Sequence, residues 1–148
     1  MKNLLLGCLA AGTLAFSSVA QKDIEATMTA PTNGTTIQAG VPFDVVFTVT
    51  NAGVDDLVID DSVYFAVTVA GNNIFGTNIY LADRTQTVVA AGESWSYTAS
   101  GIEFATIPAT STEDMCVVLF LFEGTAATPT AEPNTANNSS CQSVNFQM

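Results

Sequence analysis

The sequence predicts an all-β fold, a sandwich of two sheets made from about seven to nine antiparallel strands. Three observations carry this reading. Short runs alternate apolar and polar residues, most cleanly from Phe43 to Asn51, where Phe43, Val45, Phe47 and Val49 share one side. Turn-forming clusters such as Pro31-Thr32-Asn33-Gly34, Asn51-Ala52-Gly53 and Gly71-Asn72-Asn73 separate these runs. Beyond the first twenty residues no apolar period of 3.6 is sustained, so the crossover helices of a parallel sheet are absent.

The run from Asp114 to Glu123, DMCVVLFLFE, is the strand around which the others are arranged. Met115, Val117, Leu119 and Leu121 point one way, and Cys116, Val118, Phe120 and Phe122 the other. A strand apolar on both faces belongs in the middle of a sheet, with its second face under a further contact. Upstream, Ile24 to Ala30 alternates Ile24, Ala26 and Met28 inward, and Thr35 to Gln38 is a short edge piece. Phe43 to Asn51 follows, then a short strand at Leu57 to Ile59. Ser62 to Ala70 places Val63, Phe65, Val67 and Val69 on one side, and a hairpin turn leads to a weaker strand, Ile74 to Ala82. Thr85 to Val89 and Ser94 to Ser100 complete the middle of the chain, with a short strand at Glu103 to Thr106. Gly124 to Ser140 reads as a long loop, and Val144, Phe146 and Met148 as a final strand.

Residues 1–20 have the character of a signal peptide. Lys2 supplies the positive end, Leu4 to Phe16 the apolar stretch, and Ser18-Val19-Ala20 the small-residue cleavage site. Residues 21–148 then form a single domain. An alternative processing places a lipid on Cys8, because Leu5-Leu6-Gly7-Cys8 resembles a lipobox. No later stretch approaches the ~20 apolar residues of a membrane helix.

Without Lys2, only Lys22 and Arg84 stand against 14 acidic residues, a net charge of −12. Such a surface repels nucleic acid and anionic lipid. Two cysteines remain after the leader, Cys116 and Cys141, 25 positions apart, and an exported chain favours their pairing. On the loop-entropy model that link contributes roughly 3 to 4 kcal/mol.

The order FDVVFTVTNAG, then GESWSY, then PNTANNSSC resembles the Ig-like adhesion modules of secreted bacterial proteins, the CARDB-like domains of Bacteroidetes-type surface proteins. The likeness runs over most of residues 24–147 and rests on turn and strand chemistry at Asn51, Gly53 and Pro133 to Asn138. It implies an Ig-like β-sandwich that works as a non-enzymatic secreted or cell-surface adhesion module through protein contacts. No catalytic residue carries over.

The residues themselves exclude much chemistry. There is no histidine, which removes the usual general base, the Ser-His-Asp and Cys-His arrangements, and the common zinc sites. A small carboxylate-based hydrolase stays open on the number of Asp and Glu residues alone. Asp55-Asp56 and Asp60-Asp61 flank a short apolar run and are candidate calcium ligands, the one cofactor the sequence suggests. Trp95 and Tyr97 alternate on one strand and offer a sugar-stacking platform, the mark of a carbohydrate-binding module. The Asn33 and Asn138 acceptor patterns read as ordinary Asn-rich turns. Finally, Ile24, Ala26 and Met28 lie directly after the cleavage site. Their strand could leave its own domain and complete a neighbour's sheet, which would build homo-oligomers or filaments.

Overall fold

The computed structural model describes residues 21–148; residues 1–20, with the expected signal peptide and Cys8, lie outside the described residues. Eight strands are described: β1 (Ile24–Ala30), β2 (Thr36–Gln38), β3 (Phe43–Asn51), β4 (Ser62–Val69), β5 (Asn72–Tyr80), β6 (Ser94–Ile102), β7 (Ser111–Phe122) and β8 (Ser139–Gln147). They form a three-stranded sheet in the order β1-β3-β6 and a five-stranded sheet in the order β2-β8-β7-β4-β5. The protein is an all-β, Ig-like sandwich. One pairing departs from the antiparallel expectation, since β2 runs parallel to β8. β2 enters the second sheet from a crossing at Pro31 to Gly34, so no hairpin sets its direction.

Period-two patterning places the core where it is expected. Val45, Phe47 and Val49 of β3 face Val63, Phe65 and Val67 of β4, all fully buried. Phe47 and Phe65 meet at 4.9 Å between ring centres, and Tyr97 closes on Phe65 at 5.1 Å. Each such side chain removed from water contributes about 1.5 to 3 kcal/mol. β7 is central in its sheet, between β8 and β4. Its Met115, Val117, Leu119 and Leu121 lie in the core, while Phe120 on the outer face is 37% exposed. The late loop reaches over part of that face, where Thr130 N–H donates to Leu121 O at 2.8 Å.

Cys116 and Cys141 are direct cross-strand partners on β7 and β8 and form a disulfide that encloses the late loop. Three expected strands are not strands. Leu57 to Ile59 and Thr85 to Val89 reduce to a single bridge between Leu57 and Val89. These two residues are nevertheless buried, so their apolar character reflects anchoring of loops to the core. Glu103 to Thr106 is irregular. Its Phe104 packs against Phe43 and Phe146 at 5.9 and 5.3 Å, again a loop anchor. β8 begins at Ser139, earlier than the apolar alternation indicated, because the disulfide and pairing with β7 hold its polar first half.

β1 sits in its own sandwich. It pairs with β3 from Ile24 to Ala30, and Ile24, Ala26 and Met28 are 0%, 6% and 3% exposed. Its outer edge is closed by side chains: Ser140 Oγ accepts from Met28 N–H, Gln142 donates to Met28 O, and Glu132 accepts from Ile24 N–H.

Candidate functional site

The two sheets close on the β1 side and part on the other, where β5 and β6 each pair on one side only among the described residues. Both strands are nine residues long and contain neither a charge nor a proline. Phe75, on the inward-facing row of β5, is thereby 39% exposed, and Tyr80, on the opposite row at the end of the strand, is 52% exposed. Between the two edges lies a recess of about 290 Å³ lined by Asn78, Tyr80, Asp83, Arg84, Trp95 and Tyr97.

Trp95 and Tyr97 both line this recess, but neither is an open stacking platform. The Arg84 guanidinium lies 4.4 Å from the Trp95 ring centre and covers it. Tyr97 is packed against Phe47 and Phe65. The accessible ring is that of Tyr80. Arg84 forms no salt bridge among the described residues; its Nη1 and the indole Nε1 of Trp95 are buried without a hydrogen-bond partner. Burial holds the Arg84 guanidinium below its ordinary pKa. The recess holds one carboxylate, Asp83, and not the facing pair that glycoside hydrolysis requires.

Of the four aspartates flanking Leu57 to Ile59, Asp55 and Asp61 hold the start of β1. Asp55 accepts from the Gln21 N–H. Asp61, 2% exposed, takes Lys22 Nζ at 2.8 and 3.0 Å and the Val58 N–H at 2.7 Å. Asp56 and Asp60 are exposed. Among the described residues no three Asp, Glu, Cys or His side chains gather around one point, so the structure does not bring these four together. Burial alone would lower the Lys22 pKa. The hydrogen bonds and charges of Asp61 and Glu123 outweigh it, and Lys22 is held above its ordinary value.

A second polar cluster lies where β1 begins and the late loop ends, and the sequence offered no motif for it. Asp23 and Asn138 are 7% and 6% exposed. Asn137 donates to Asp23 Oδ2 at 3.5 Å. Asn138 donates to Glu132 Oε1 at 2.8 Å, and Glu132 Oε2 accepts from Ile24 N–H at 2.8 Å. Three oxygens here are buried without a partner: Asp23 Oδ1, Asn137 Oδ1 and Asn138 Oδ1. Burial, with the nearby charge of Asp23, holds the Glu132 carboxyl above the usual range. The only signal in the sequence is the Asn-rich PNTANNSSC stretch, and nothing in it points to Asp23, more than a hundred positions away.

A third feature is apolar. Val69, Phe104, Ile107, Pro108 and Phe146 line a recess of about 360 Å³ at one end of the sandwich.

No family model matches the sequence, and no curated protein matches it. Solved structures do match in fold. A CARDB domain from Pyrococcus furiosus, crystallised in complex with di-metal ions, superposes with a TM-score of 0.55 at 11% identity, over 88% of this chain and 95% of that one. An NMR structure of that domain gives 0.55 at 13% identity, over 86% and 97%. A domain described as belonging to a cell surface protein of Methanosarcina acetivorans gives 0.53 at 15% identity, over 87% and 93%. The chain has the fold of a CARDB domain. Within this CARDB-type fold, the β5–β6 opening, the Lys22–Asp61 clasp and the Asp23–Glu132 cluster are formed by this chain's own residues.

Proposed function

We propose that this chain is a non-enzymatic, extracellular surface module that acts through protein contacts, and that the open β5–β6 side is its contact surface. The observation that carries the reading is the contrast between its sheet edges. β1 is sealed by Ser140, Gln142 and Glu132, and β2 is only three residues long. β5 and β6, by contrast, are long, uncharged and unguarded. Soluble domains ordinarily blunt such edges with charge, proline or cover. An unblunted pair is suited to receiving an extended backbone, with main-chain hydrogen bonds supplying affinity and the recess supplying side-chain selectivity. In this arrangement the domain accepts a partner's strand. The disulfide accords with an oxidising compartment.

Placing a photo-reactive residue at exposed Thr98 on β6, and a control at exposed Thr27 on β1, tests this on the cells that export the chain. The expected result is cross-linking to protein from position 98 and little from 27. Adducts to glycan alone at position 98, lost with Arg84→Ala, would show that the recess takes sugars and defeat the protein-contact reading. Turnover of a substrate that vanishes with Asp83→Asn would defeat its non-enzymatic part.

A further inference from the structure

We propose that Asp23, Glu132, Asn137 and Asn138 form a binding site for a divalent hard cation, calcium by preference, which ties the late loop to the start of β1. This does not depend on the reading of the β5–β6 side. Asp23 and Asn138 are each more than nine-tenths buried, and each leaves a side-chain oxygen without a donor. Asn137 leaves a third. In this cluster every unpartnered atom is an oxygen acceptor, and no donor is left over. Buried polar atoms are nearly always satisfied, so three orphaned acceptors on two adjoining hydrogen-bonded pairs, Asn137 with Asp23 and Asn138 with Glu132, point to a species that only accepts electron pairs.

Charge leads to the same conclusion. Two carboxylates, Asp23 and Glu132, share the cluster, and no basic side chain lies within salt-bridge distance of either among the described residues. Lys22, the adjacent cation, is committed to Asp61 and Glu123. A water molecule could satisfy two acceptors but would leave both charges uncompensated in a desolvated place. A divalent ion cancels them. Each Glu132 oxygen accepts one hydrogen bond and retains a second acceptor position. Two carboxylates and two amide oxygens supply roughly four to six donors, and water completes the six to eight that calcium takes. An all-oxygen set disfavours zinc and copper. Magnesium suits the site less well, because it demands strict octahedral geometry and releases water reluctantly.

Thermal unfolding of the exported protein, stripped with chelator and titrated with calcium chloride, tests the site. Sodium chloride of matched ionic strength is the control for screening. Extracellular calcium modules bind at about 10⁻⁴ to 10⁻³ M, so about 10 mM calcium should raise Tm saturably by about 5 to 10 °C. Magnesium should give less. Asp23→Asn and Glu132→Gln should abolish the rise, and Asp60→Asn in the exposed acidic loop should keep it. In chelator, Glu132→Gln should unfold at or above the parent's temperature, which shows that the variant folds and that the bare charge is a burden. The proposal is overturned if calcium does no more than sodium chloride, if both cluster variants keep the full rise, or if Asp60→Asn removes it.

Discussion

Lys22 and Asn51 show how single buried polar groups set the ends of this sandwich. Lys22 places its ammonium 2.8 Å from a carboxylate of Asp61 that is 2% exposed. Lys22→Met leaves that carboxylate charged and unpaired, at an expected cost of about 2 to 4 kcal/mol in denaturant unfolding. The pH dependence has a definite sign. Because Lys22 is held above its ordinary value of 10.5, its stabilisation is complete below that value and is lost as pH rises through the raised one. Lys22→Met should therefore flatten the alkaline limb of the stability profile. Asn51 is fully buried; its amide donates to Asp55 O and Val89 O, and its oxygen accepts from Gly53 N–H. Asn51→Ala strands those groups, and we expect a loss of roughly 2 to 3 kcal/mol. Gly53 beside it is held by space. A Cβ there would lie 2.7 Å from Asp23 N, against the backbone that starts β1. Gly53→Ala should accordingly displace β1 and lower Tm, visible as faster amide exchange at Ile24 and Ala26.

At the scale of elements, the β7–β8 pair and its disulfide govern the late loop. Replacing Cys116 and Cys141 together by Ala frees a 25-residue separation and should cost roughly 3 kcal/mol. Hydrogen exchange should then quicken in residues 124–138 and at the edge of β1, whose Ile24 N–H is held by Glu132, while β3 keeps its protection. Strand existence was legible wherever period-two alternation met a turn signal, as at β1, β3 and β4. It failed at Leu57 and at Val89. There short apolar runs mark loop residues pressed into the core, and local pattern does not distinguish an anchor from a strand.

For the molecule as a whole, the net charge of −12 carried by residues 21–148 sets the electrostatic background. Self-repulsion opposes the compact state, and salt screens it. Calorimetry of the chelator-treated protein should show Tm rising by a few degrees as sodium chloride increases, then levelling off. A flat profile would mean that the carboxylates are already locally compensated.

Alternation, turn chemistry, cysteine parity and the absence of histidine are properties of neighbouring residues and of composition. The sequence by itself therefore determined the all-β sandwich, the central place of β7 and the lack of imidazole chemistry. Where the edges open, and which oxygens meet, are matters of distant segments. Trp95 was readable as an aromatic on a strand, but only the packed sheets put Arg84 over it. Asp55 and Asp61 were readable as acidic turns, but only folding brought Gln21 and Lys22 to them. Asp23 and Glu132 lie more than a hundred positions apart, and their union depends on β1, β7 and the tethered loop arriving at one corner of the sandwich. No local pattern encodes such a meeting, because the free energy that enforces it comes from the burial of the whole core.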